Sequence, residues 1–188
     1  DFHKFGSFQD AILNPLKAKV GLLYEKRILW LTALIFMNVF SSMAIANFEN
    51  IIQSMVSLVF FLPLLIGSGG NAGAQSATLM LRSLAIGDVE IKDWVKLLGK
   101  ELVVSFLLGI TMAIGVGIVV SFRAPEIIVI VSSSMVLTVM VGSLIGLLLP
   151  FIFTKVKIDP AIASAPLITS IADILGVLIY FSIASMVL

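Results

Sequence analysis

Five long apolar stretches run along the chain, separated by short segments that hold most of its charge. Ile28 to Ala46 is interrupted only by small polar residues and Asn38. Ile51 to Gly67 is short for a membrane crossing, but the uncharged run Ser68 to Leu81 can extend it. Leu102 to Phe122 is rich in glycine, Ile127 to Phe153 carries a serine cluster, and Ala161 to Leu188 closes the sequence. A helix needs about 20 apolar residues to cross the hydrocarbon core. Transmembrane strands would alternate in polarity over about ten residues, and none of these runs alternates. The pattern predicts an all-α integral membrane protein: a polar lead-in over residues 1–27, then five transmembrane helices within residues 28–188. The first span is too long for a cleavable signal peptide, and no small-residue cleavage site leads into a soluble remainder.

Composition agrees with this reading. Of 188 residues, 60% are apolar and 12% charged, against about 45–50% and about 25% in an average globular domain. So few charges cannot cover the surface of a soluble domain. The formal net charge of +1 leaves no basic face for phosphates, which excludes nucleic acid as a partner. With no cysteine, disulfides, thiol chemistry and Cys-ligated zinc are excluded.

Lysine and arginine set the orientation, since loops carrying them stay cytoplasmic. Lys4, Lys17, Lys19, Lys26 and Arg27 precede the first span, Arg82, Lys92, Lys96 and Lys100 follow the second, and Lys155 and Lys157 follow the fourth. The remaining loops hold Arg123 alone, a split of eleven against one. This predicts a multi-pass protein of the cell membrane with a cytoplasmic N-terminus and an external C-terminus. The loop Gly87 to Glu101 reads as a short amphipathic surface helix with Ile91, Trp94, Val95 and Leu98 on one face and a solvated charged face opposite.

Enzyme signatures fail, and no small organic substrate is expected. His3, the one histidine, lies in the polar lead-in without a partner for a metal site or triad. Gly67-Ser68-Gly69-Gly70-Asn71-Ala72 matches G-x-G-x-x-A, but that fingerprint needs a preceding strand and a parallel sheet, and a membrane helix precedes it here. No lysine follows to make a phosphate-binding loop.

The run Gly67 to Ser76 is nonetheless unusual, a membrane helix with almost no side chains. Close packing is one explanation, because Gly69 and Gly73 form a G-x-x-x-G pair, as do Gly142 and Gly146. Packing leaves Asn71 and Gln75 unexplained. They are four apart, share a helix face, and together with bare backbone suit a hydrated ion pathway. Asp173 is the sharper feature. It lies well inside the last span, which holds no lysine, arginine or histidine, and a charge at mid-bilayer costs roughly 2.5–3.5 kcal/mol on insertion scales. Either it faces a polar interior, a cation or another subunit, or it is a protonated acid bonded to Thr169 or Ser170. Its helix face also carries Thr169, Ala165 or Pro166, and Gly176. Two such carboxylates facing each other across a symmetric dimer would total −2, matching one divalent cation. Mg²⁺ keeps several waters and takes few carboxylates, so it suits two acids in a roomy lumen better than Ca²⁺ does.

Gly69-Gly70-Asn71-Ala72-Gly73-Ala74-Gln75-Ser76-Ala77-Thr78, with Arg82-Ser83-Leu84-Ala85-Ile86-Gly87, resembles the signature of MgtE-type magnesium channels and their eukaryotic solute-carrier relatives. Asp159-Pro160-Ala161 and Ala165-Pro166-Leu167-Ile168-Thr169-Ser170-Ile171-Ala172-Asp173 resemble that family's last helix. The likeness covers about residues 20–188. It implies a homodimer in the lipid bilayer, with a Mg²⁺-conducting pore on the dimer axis lined by the second and fifth spans. Gly69, Gly70, Asn71, Gln75, Ala165, Pro166 and Thr169 are the pore-lining candidates. The resemblance puts Asp173 at the family's ion-selecting aspartate, holding hydrated Mg²⁺, and Asp159 at a cytoplasmic-side aspartate linked to Mg²⁺-dependent closure. Ala74 stands where the family usually has asparagine. The opening Asp1-Phe2-His3-Lys4-Phe5-Gly6 resembles the end of the linker to cytoplasmic regulatory domains, which this sequence lacks; feedback gating is then expected to be weakened. Two other functions compete: an exchanger coupling Mg²⁺ to Na⁺ or H⁺, and a non-conducting membrane subunit that binds a partner through its polar helix face.

Overall fold

The computed structural model describes residues 18–188 and is helical throughout its regular structure. The element order is α1 (Val20–Ala46), α2 (Glu49–Ser54), α3 (Ser57–Ile86), α4 (Trp94–Arg123), α5 (Ile128–Lys155) and α6 (Ala165–Val187), with single 3₁₀ turns ahead of α4, α5 and α6. Among the described residues five helices, all but α2, are long and apolar enough to cross a membrane. The five expected spans are present. His3 and the rest of residues 1–17 lie outside the described residues.

Several boundaries differ from the sequence expectation, each for a local reason. The first span starts at Val20, inside the stretch read as lead-in, because nothing between Val20 and Arg27 breaks a helix. The second does not begin at Ile51. Residues Glu49–Ser54 form the separate helix α2, which ends where Met55 turns to φ −146°, ψ 84°. From Ser57 onward α3 continues unbroken through Pro63 and the glycine run to Ile86. Gly87 stops it at φ 80°, a left-handed conformation that glycine adopts without Cβ strain.

No separate surface helix follows. After the 3₁₀ turn Ile91–Asp93, opened by reciprocal side-chain bonds between Glu90 and Asp93, the chain enters α4 at Trp94 and stays helical to Arg123. Leu97 and Leu98 pack toward Met80, Leu147 and Phe151, whereas Ile91, Trp94 and Val95 are exposed. The expected single apolar face is therefore split. A Cβ added at Gly99 would meet nothing within 4 Å, so no close contact demands glycine there.

Helices α3 and α5 form the centre of the bundle. Helix α4 packs on α5, α6 packs on both α3 and α5, and α1 packs on α6. The central contact is backbone on backbone. A Cβ at Gly142 would collide with the Gly69 carbonyl, one at Gly146 with the Gly73 carbonyl, and one at Gly73 would lie 2.7 Å from the Gly142 carbonyl oxygen. Only glycine permits this approach, the small-residue packing that membranes favour where hydrophobic burial offers helices no advantage. Helix α4 meets α5 similarly, with Gly109 against the Val136 backbone.

At one end, Leu58, Leu65, Ile127, Ile130, Val177, Tyr180 and Phe181 form the largest apolar cluster. Within it the buried Tyr180 hydroxyl donates to the Leu58 carbonyl at 2.9 Å, joining α6 to the start of α3.

This packing predicts a sharp contrast between glycines. Gly142→Ala should destabilise the detergent-solubilised protein by about 1–3 kcal/mol or more through overpacking. Gly115→Ala, where nothing lies within 4 Å of the added Cβ, should be neutral or slightly stabilising. Thermal unfolding followed by size-exclusion reads both. Equal melting temperatures would contradict the backbone contact.

Candidate functional site

The packing of α3 on α5 fixes which way every α3 residue points. At 3.6 residues per turn, the face carrying Gly69 and Gly73 is turned to α5, and Gly70 lies about 100° further round. A Cβ at Gly70 would sit 3.1 Å from Thr169 Cγ2 and 3.5 Å from Asp173 Oδ1 on α6. Gly70, Thr169 and Asp173 thus come together between α3 and α6, and Gly70, expected to line a pore, is buried there. Gly69 does not join them: it is buried against Thr138 of α5, so its bare backbone serves packing.

Asn71 and Gln75 are exposed on α3, roughly opposite its glycine seam. Ala165 and Pro166 are exposed at the start of α6, both about two turns before Asp173. Gly176, one turn beyond it, is buried and would bring a Cβ to 3.6 Å from Thr138 Cγ2. The exposed stripe of α3 runs further than the sequence reading took it, to Thr78 and Arg82. Extending the spacing of Asn71 and Gln75 by another two turns would have found them.

Asp173 is half-buried, and among the described residues nothing hydrogen-bonds or ion-pairs with its carboxylate. The alternative in which it bonds Thr169 is not the arrangement formed, since the Thr169 hydroxyl donates to the Pro166 carbonyl at 3.0 Å. Among the described residues no three His, Cys, Asp or Glu side chains gather as metal ligands.

Asp159 does not cap the last helix, contrary to what aspartate before proline suggests. Its carbonyl accepts from the Ile162 amide at 3.0 Å, closing the 3₁₀ turn Pro160–Ile162, and Ser164 takes the position before α6. Helix α5 ends at Lys155, Lys157 two residues on takes φ 61°, and the 3₁₀ turn follows before α6 starts.

The fold and this seam define a polytopic helical membrane protein in which a glycine-bared helix lies beside one with an unpartnered carboxylate. The family model for divalent cation transporters named MgtE matches residues 62–183, a segment that includes both helix faces of the seam. The chain belongs to the MgtE family. It is similar to proteins named magnesium transporter MgtE from Thermus thermophilus (37% identical, covering 100% of this chain and 42% of that protein) and Bacillus subtilis (36%, 98% and 41%). A third, from Enterococcus faecalis, is 34% identical over 92% of this chain and 38% of its own length. The chain thus spans about two-fifths of the length of these relatives.

The isolated carboxylate generates a stability prediction. Because among the described residues no group pairs with it, Asp173→Asn should leave the melting temperature unchanged or raise it, since a neutral amide is cheaper to embed than a carboxylate. A fall of several degrees in a detergent melting curve would show instead that Asp173 holds the fold together.

Proposed function

We propose that this chain is the ion-conducting membrane part of a Mg²⁺ channel. In this reading two copies assemble about a two-fold axis in the cell membrane, with N-termini cytoplasmic and C-termini outside. Helices α3 and α6 face the axis, and Asn71, Gln75, Thr169, Ala165 and Pro166 line a water-filled path. Family membership and the relatives' printed names support magnesium as the substrate. The observation that carries the pore reading is the half-buried Asp173 carboxylate, without a partner among the described residues, beside Gly70.

The chemistry follows from charge and space. One carboxylate per chain cannot strip a strongly hydrated cation, so the ion keeps its waters and the acid attracts it through them. Across one water, at about 5 Å, a carboxylate attracts a divalent ion by roughly 1.7 kcal/mol in bulk water and roughly 6.6 kcal/mol at an effective dielectric of 20. A second copy of Asp173 across the axis doubles that attraction and balances the ion's charge. Glycine at position 70, itself buried, lets Thr169 and Asp173 of α6 close on α3 where a side chain would push them away. Asp159, on the side read as cytoplasmic, is assigned a role in closure by internal Mg²⁺.

Mg²⁺ uptake into proteoliposomes tests this. Asp173→Asn should reduce flux about tenfold or more, the equivalent of 1.4 kcal/mol, and Asp173→Glu should be nearly as damaging because each added methylene narrows the lumen. Asn71→Leu should block flux while the protein still elutes as a dimer. Wild-type flux, and unchanged selectivity over Na⁺, in Asp173→Asn would overturn the assignment.

A further inference from the structure

The continuity of α4 gives its basic residues a setting that a separate surface helix would not. Its buried positions, Ser105, Gly109, Ala113, Val116 and Val120, recur every three or four residues and define the face turned to α5. Directly opposite lie Val103, Leu107, Ile114 and Ile118, which are 60%, 58%, 62% and 58% exposed. In a membrane protein that face meets lipid tails. Extended one and two turns toward the N-terminus, the same stripe carries Lys100 and then Lys96, both exposed.

Length fixes their depth. From Val103 to Phe122 the helix rises about 28 Å at 1.5 Å per residue, close to the roughly 30 Å hydrocarbon thickness. Lys100 therefore falls within a turn of the apolar edge and Lys96 a turn beyond, at the level of lipid phosphates. Their long alkyl stems can lie along the apolar stripe while the ammonium groups reach the headgroups. Trp94, 44% exposed in the same turns, is a residue type enriched at that depth.

The other charges nearby are already engaged or turned away. Lys92 Nζ pairs with Glu90 Oε2 at 2.7 Å, Asp93 accepts from the Glu90 amide at 3.0 Å, and Glu101 is half-buried on another side of the helix. Among the described residues Lys96 and Lys100 have no acidic partner.

We propose that Lys96 and Lys100 together seat the headgroup of an anionic phospholipid on the outer face of α4. The proposal rests on the membrane-spanning arrangement and is independent of whether the chain conducts Mg²⁺. The recognising chemistry is a pair of ammonium groups one helical turn apart, at phosphate depth, above an apolar stripe that holds the acyl chains.

Fluorescence of a tryptophan placed on the stripe itself, Val103→Trp, one turn from Lys100, reads the site. The chain has two tryptophans, so the background carries Trp30→Phe and Trp94→Phe. In bilayers with the same lipids in both leaflets, quenching by brominated phosphatidylglycerol is compared with quenching by brominated phosphatidylcholine. The expected preference for the anionic lipid is about fivefold or more, from roughly 1 kcal/mol per lysine near an anionic surface. It should fall close to one in Lys96→Gln/Lys100→Gln, return in Lys96→Arg/Lys100→Arg, and survive added inorganic phosphate. No preference in the parent protein, a preference retained by the glutamine pair, or its loss on adding phosphate would overturn the proposal. Absence of quenching by either lipid would overturn the membrane placement of α4 and the proposal with it. Mg²⁺ flux, measured on the same vesicles, reports separately on the channel reading.

Discussion

The contact on which the rest depends is the backbone-to-backbone approach of α3 and α5. Gly69 and Gly73 meet Gly142 and Gly146 so closely that no side chain fits between them. In lipid, burial of apolar surface does not drive helices together, so shape complementarity and close dispersion contact must. Four glycines supply that contact and also fix the rotation of α3 about its own axis. With one face committed to α5, Gly70 is turned to α6 and Asn71 and Gln75 face away from the seam. A rotation by two residues would turn Asn71 and Gln75 against α5 and point the glycines at open surface.

That constraint explains why one helix carries both a packing motif and a polar stripe. Packing and pathway are not rival explanations of the glycine run, because they occupy different faces. Gly69 and Gly73 belong to the first, Asn71 and Gln75 to the second, and Gly70 lies on the boundary, where it sets the distance between α3 and the Asp173 carboxylate. The tie from Tyr180 to the Leu58 carbonyl holds α6 to α3 at the far end of the same seam. The two helices that approach Asp173 are therefore linked at more than one level.

Much of this was legible beforehand because the signals are local. Five apolar runs gave five long helices, and Asp173 announced itself by being a charge in an apolar span. The ends were harder to read. Met55 breaks the chain with no proline or glycine to mark it, so α2 and α3 read as one segment. The start of α4 looked separate because its charges cluster, yet charge does not stop a helix and only Gly87 does. Gly69 was grouped with Gly70 because sequence shows adjacency and not direction; the 100° between neighbouring helix positions assigns them to different helices. The last span was read from Ala161, but the 3₁₀ turn Pro160–Ile162 takes up its first residues and α6 begins at Ala165.

The central claim is that the α3 face opposite the glycine seam, together with the Asp173 side of α6, borders water that a hydrated cation shares. The chain contains no cysteine, so single-cysteine substitutions can be probed without background. In membranes, Asn71→Cys and Gln75→Cys should react with a water-soluble thiol reagent much faster than Ile118→Cys on the lipid-facing side of α4, and millimolar Mg²⁺ should slow the first two selectively. Equal and slow reaction at all three positions, with no protection by Mg²⁺, would contradict the account.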